Sequence, residues 1–149
     1  MFMFLFFFFI FSFFLGCGGK GVKKEMSEGI KGRIEIWEGD FMPPGKGKVY
    51  YGKKTVLVFE KTNLRDCQRE EGNSTFYTNV NSRLIDSVVS DGDGYFSLSL
   101  PAGEYSLFVR ERGLFYANLF DGDGFIFPVR VEKGKVTEVR IRIDYKATY

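Results

Sequence analysis

The sequence predicts an all-β fold in which two sheets face each other as a sandwich. Three observations lead there. Apolar and polar residues alternate with period two in several short runs, the pattern of strands covered on one face. Clusters of Gly, Asp, Asn and Pro separate those runs at turn-length spacing. No run carries a helical apolar period, and about seven strands follow from the count of alternating segments.

The first strand begins at Ile30, with Ile30, Gly32, Ile34 and Ile36 on one side and Lys31, Arg33, Glu35 and Trp37 on the other. Met42-Pro43-Pro44-Gly45-Lys46-Gly47 ends it, because prolines and glycines cannot continue a ladder. Thr55 to Phe59 is apolar on both faces, as a central strand would be. Residues 61–82, with Asn63, Asn73, Asn79 and Asn81, read as a long polar surface connection holding at most a short irregular piece. Leu84 to Val89 is the next strand. Phe96, Leu98 and Leu100 then alternate with Tyr95, Ser97 and Ser99, and Tyr105, Leu107 and Val109 follow after a turn. Val129 and Val131 precede the turn Lys133-Gly134-Lys135, and Val139, Ile141 and Ile143 alternate with Arg and Glu in the last strand. The Ile34, Leu98, Leu107 and Ile141 faces form the expected core. The charges of the last strand suit a sheet edge that discourages aggregation.

Composition narrows the chemistry. The formal charge is +2 with no basic stripe, which argues against a nucleic-acid partner. The chain contains no histidine, so Ser-His-Asp and Cys-His catalysis and imidazole-based zinc sites are excluded. No cofactor is expected. Cys67 is read as a buried or incidental thiol, since no histidine exists to activate it.

Two acidic turns, Asp91-Gly92-Asp93-Gly94 and Asp121-Gly122-Asp123-Gly124, offer hard oxygen ligands of the kind calcium takes. The EF-hand pattern needs another oxygen two places on, where Tyr95 and Phe125 stand, so plain Asp-Gly turns are the expectation and Asp91, Asp93, Asp121 and Asp123 only weak metal candidates. An alternative role for Asp121 and Asp123 is a carboxylate-based hydrolase, although adjacent aspartates in one turn are poorly spaced for it. The segment Leu114 to Phe127 carries Phe115, Tyr116, Phe120 and Phe125. With Trp37 these rings are candidates for a surface that meets a partner or glycan, the other reading being that they close one end of the core.

Residues 91–106, DGDGYFSLSLPAGEYS, resemble the signature of carboxypeptidase regulatory-like domains: Asp-x-x-Gly-x-Phe, a short strand, then Leu-Pro-x-Gly-x-Tyr. The matching positions are Asp91, Gly94, Phe96, Leu100, Pro101, Gly103 and Tyr105. Gly94 supplies a positive backbone angle, Phe96 points inward, Pro101 and Gly103 shape the turn, and Tyr105 gives its ring to the core and its hydroxyl to a loop backbone. The resemblance implies a transthyretin-like, seven-stranded Greek-key sandwich over residues 29–149 that binds or scaffolds without catalysing. A hydroxyisourate-hydrolysing transthyretin-like group needs histidines and a C-terminal Tyr-Arg-Gly-Ser, and this sequence has neither.

Residues 1–16 contain no charge and hold nine of the eighteen phenylalanines, ending Leu15-Gly16 before Cys17. This resembles a bacterial lipoprotein signal, with Cys17 acylated after removal of residues 1–16. The alternatives are a spanning anchor, for which the run is short of the roughly 20 residues a helix needs, and a cleaved secretory signal without acylation. Residues 17–28, rich in Gly and Lys, would be a tether from the membrane to the domain. The implied location is a bacterial cell envelope, at the outer membrane, with the membrane reached through Cys17 and an envelope protein or glycan as partner.

Overall fold

The computed structural model describes residues 24–149, so the apolar run, Cys17 and the start of the tether lie outside the described residues. The strands are β1 (Gly29–Asp40), β2 (Lys48–Tyr50), β3 (Thr55–Glu60), β4 (Cys67–Arg69), β5 (Phe76–Val80), β6 (Leu84–Val89), β7 (Tyr95–Ser99), β8 (Gly103–Glu111), β9 (Leu114–Tyr116), β10 (Pro128–Val131) and β11 (Val136–Thr148). The fold is all-β, and its two sheets make an open sandwich. Among the described residues there are eleven strands rather than about seven.

The smaller sheet is organised by β1, which pairs with every other member. β11 runs parallel to it from Gly29↔Val136 to Asp40↔Thr148, with a bulge between Ile36 and Glu38. On its other side β7 pairs with Gly29–Arg33 and β2 with Ile36–Glu38, both antiparallel. β11 is therefore an edge, as its charged side chains suggest. The larger sheet runs β4-β5-β9-β8-β3-β6, with β10 beside the start of β8.

The expected alternation holds where it was strongest. Ile30, Ile34, Phe96, Leu107, Ile141 and Ile143 are buried. In β3, Val56 and Val58 pair with Val109 and Leu107, while Leu57 pairs with Phe108 on the other face. All of these are buried, because the larger sheet is apolar on both sides. Toward the smaller sheet, Phe76, Tyr116 and Tyr145 meet edge-on or tilted, with centroids 5.0–5.7 Å apart. On the opposite face Phe59, Tyr77, Phe108 and Phe115 form a second ring cluster. The Arg69 and Arg110 guanidinium groups lie over Tyr77 and Phe115 there.

Residues 61–82 are not a plain connection. They hold a 3-10 turn at Leu64–Asp66 and then β4 and β5, with Phe76, Tyr77 and Val80 buried. Adjacent Phe76 and Tyr77 take the two apolar faces, and the register shift at Thr78 leaves Thr78 and Asn79 both exposed, so no period-two signature remains. Leu114–Tyr116 likewise forms β9, so the aromatic segment begins as a strand.

The motif residues occupy turn and core positions. Gly94 has φ 82°, and a side chain there would also run into the Ile34 carbonyl. Tyr105 Oη donates to the Pro101 carbonyl at 2.6 Å. Gly103 lies in β8 rather than closing a turn, and a Cβ there would meet the Tyr105 ring at ordinary contact distance.

Two outcomes are expected. Gly94→Ala should destabilise the fold by about 1–3 kcal/mol, measured by chemical denaturation, because an L side chain is strained at that angle. β6 is a sheet edge whose only charge, Asp86, also accepts the Ser87 N–H at 2.7 Å. Asp86→Val should raise self-association in sedimentation experiments, since an uncharged apolar edge is a template for further strands.

Candidate functional site

The outward positions of β1 and β11 meet in register: Lys31 beside Glu138, Arg33 beside Arg140, Glu35 beside Arg142. All of these but Arg142, together with Tyr95 of β7, Lys53, and a wall made by Val88, Val89, Ser90 and Asp91, line an open groove of about 1190 Å³. Its floor includes the solvent face of the smaller sheet, and Gly32, Phe96 and Val139, at positions on the Ile30 and Ile34 side, also reach it.

Electrostatics inside the groove is mostly compensated. Lys31 Nζ lies 3.1 Å from Glu138, and Arg140 Nε 3.3 Å from Glu35. The second Glu35 oxygen accepts the Trp37 indole N–H at 3.1 Å. One Asp91 oxygen accepts both the Asp93 and the Tyr95 backbone N–H at 2.9 Å. Each carboxylate of the groove therefore has a partner.

Arg33 is held differently. Its guanidinium carbon is 3.5 Å from the centre of the Tyr51 ring and 4.5 Å from that of Tyr95. Its Nε donates to the Asp93 carbonyl at 3.0 Å. Two rings and one hydrogen bond fix the plane of the group, an arrangement open to arginine but not to lysine.

The residues singled out from sequence do not form one surface. Tyr116 is buried on the inner face of the larger sheet, and Phe115 lies half-buried on its opposite face. Phe120 is 53 % exposed, and Phe125 sits half-covered under the Lys61 ammonium group. Trp37 packs on Phe41, with centroids 4.8 Å apart, and carries the Arg142 guanidinium over its ring at 4.0 Å. Of the sequence-derived candidates, Asp91 and Phe96 line the groove. Arg33, Lys53, Tyr51 and Tyr95 were missed. The available signal was an outward arginine on the first strand together with the Tyr that follows Asp-Gly-Asp-Gly.

The two acidic turns have the same geometry. Asp121 accepts the Asp123 and Phe125 N–H groups at 3.0 and 2.9 Å, matching the bonds made by Asp91. They dock on different elements: Gly94 O accepts from Ile34 N of β1, and Gly124 O from Leu64 N of the 3-10 turn. Among the described residues no group of three metal-ligating side chains comes together. No described helix is long and apolar enough to cross a membrane. Burial, followed by the Asp66 charge, pushes the half-buried Cys67 thiol up to about 11, the reverse of what a nucleophile needs.

A second polar cluster is enclosed at one end of the sandwich. Asp144 of β11 accepts from Tyr116 Oη at 2.9 Å and Asn118 Nδ2 at 2.8 Å, and from Tyr149 Oη at 3.0 Å. Tyr145 Oη donates to Glu111 at 2.9 Å, and Lys54 pairs with the same carboxylate. These bonds tie the end of β11 to β8 and β9. Every member is satisfied, so the cluster fastens one sheet to the other and is arranged for holding rather than for chemistry.

Burial, and then the hydrogen bond to Glu111, raises the Tyr145 phenol to about 12, and burial raises Tyr116 as well. A phenol kept neutral in the folded state contributes stability that is complete below the unfolded value near 10 and is lost as pH rises toward 12. Denaturation curves should therefore show stability falling between about pH 10 and 12, and Tyr145→Phe should flatten part of that fall.

In comparisons with known proteins, no family model, no curated protein and no solved structure matches the chain.

Proposed function

We propose that this chain is a lipid-anchored protein of a bacterial envelope, held at the outer membrane through Cys17, whose sandwich is a non-catalytic module that binds an envelope glycan. The observation that carries the reading is the groove over the smaller sheet, concave, lined by paired charges and bordered by Tyr95. A concave site lined by ion pairs and tyrosine suits a hydroxyl-rich ligand. A flat apolar patch would instead favour a protein partner.

The finer architecture belongs to the same proposal. A transthyretin-like Greek key of the carboxypeptidase regulatory-like type is supported by the Asp91–Tyr105 signature, with Gly94 at positive φ and the Tyr105 hydroxyl bonded to Pro101. The absence of histidine from the sequence favours binding over catalysis. Lipid anchoring is supported by the sequence of residues 1–17 alone, and two acyl chains on Cys17 would suffice without a spanning helix.

Two measurements test this. Fractionated bacteria should hold the wild-type chain in the outer membrane and release Cys17→Ser to the soluble fraction or leave it unprocessed. Mass spectrometry finding Cys17 unmodified on the mature chain would end the anchoring claim. The detergent-purified chain should retain envelope polysaccharide fragments on a glycan array, and Tyr95→Ala should weaken that retention. Equal retention by wild type and variant would remove the groove as the binding surface.

A further inference from the structure

We propose that Arg33 is the anchor of an oxyanion subsite in the groove, and that the glycan bound there is acidic. This rests on the reading of the groove as a saccharide site and adds the class of saccharide. Lys31 and Arg140 are neutralised by Glu138 and Glu35, and the Asp91 carboxylate is engaged by its own turn. Two cations of the lining are left over, Arg33 and Lys53, and neither makes an ion pair among the described residues.

Arg33 is also prepared geometrically. Only its Nε is used internally, on the Asp93 carbonyl, and the terminal nitrogens make no hydrogen bond to protein among the described residues. Stacking between Tyr51 and Tyr95 holds the guanidinium plane, so little rotamer entropy remains to be lost on binding. A fixed fork with free terminal N–H donors matches the two oxygens of a carboxylate, or two oxygens of a phosphate ester. Lys53, exposed on the same lining, adds a second positive charge without a fixed direction. The shared chemistry is an oxyanion on a sugar, as in a uronate carboxylate or a sugar phosphate.

The test uses the full chain in detergent micelles and four probes: hexagalacturonate, its carboxyl-reduced hexagalactose, a mannose-6-phosphate oligosaccharide, and inorganic phosphate. Calorimetry should show hexagalacturonate or the phosphorylated sugar binding about tenfold or more tighter than hexagalactose, with affinity falling as salt rises. Which of the two binds tighter distinguishes carboxylate from phosphate, and free phosphate binding as well as either would overturn the saccharide assignment. Arg33→Lys keeps the charge but loses the fork, and should weaken binding about tenfold. Lys53→Gln, on an exposed position outside the strands, should weaken it less and steepen nothing in the melting curve. If hexagalactose binds as tightly as the acidic probes and Arg33→Lys changes nothing, the oxyanion subsite is refuted while the glycan groove stands. If no saccharide binds, both fall together.

Discussion

The smaller sheet hangs on one strand. β1 lies between β11 on one side and β7 and β2 on the other, so every ladder of that sheet includes it. Its alternation fixes two surfaces at once: Ile30 and Ile34 go to the interior while Lys31, Arg33, Glu35 and Trp37 go to solvent. A slip of one residue would exchange these sets and bury three charged side chains, so the register is strongly determined. Gly32 sharpens that constraint, because a side chain there would collide with the Val139 carbonyl and the Phe96 ring. The groove and the core are thus two products of the same pairing.

The larger sheet answers a different requirement. It carries aromatic layers on both faces, one directed at the smaller sheet and one closed by its own rings and by arginine guanidinium groups. Edge-to-face contacts of this kind add to simple area burial, and they give the sheet a fixed geometry against which the smaller one docks. Where the sheets meet at the end of β11, satisfied polar bonds from Asp144, Tyr145 and Glu111 add to the packing of the Phe76, Tyr116 and Tyr145 rings. Breaking one partner of such a cluster leaves a buried polar group without its bond, so the cluster confers specificity of docking as well as stability.

Legibility from sequence followed burial on one face. Runs such as Phe96-Leu98-Leu100 and Val139-Ile141-Ile143, each with a polar partner at every second place, announced their strands. β5 did not, because Phe76 and Tyr77 are both covered and Thr78 and Asn79 are both exposed. β2 and β4, three residues each, are too short to show any period. The all-β class followed from the residues themselves, and the Tyr105 hydroxyl meets a loop backbone as expected, with the structure placing the acceptor at Pro101. The groove did not, since it depends on the parallel match of β1 with β11, a long-range pairing that spacing alone does not reveal. Exposed aromatics drew attention in the sequence, yet Phe115 and Tyr116 serve the packing, and the fixed Arg33 emerged only when Tyr51 and Tyr95 were seen to flank it.

The parallel union of β1 and β11 also has a bearing on synthesis. A strand made among the first residues of the domain finds its longest partner only in residues 136–148, and joining them closes a loop nearly as long as the domain. Contacts so distant along the chain form slowly. While the ribosome is still working, β1 therefore has nothing to zip against along that side, and the smaller sheet keeps an open edge there until residues 136–148 emerge.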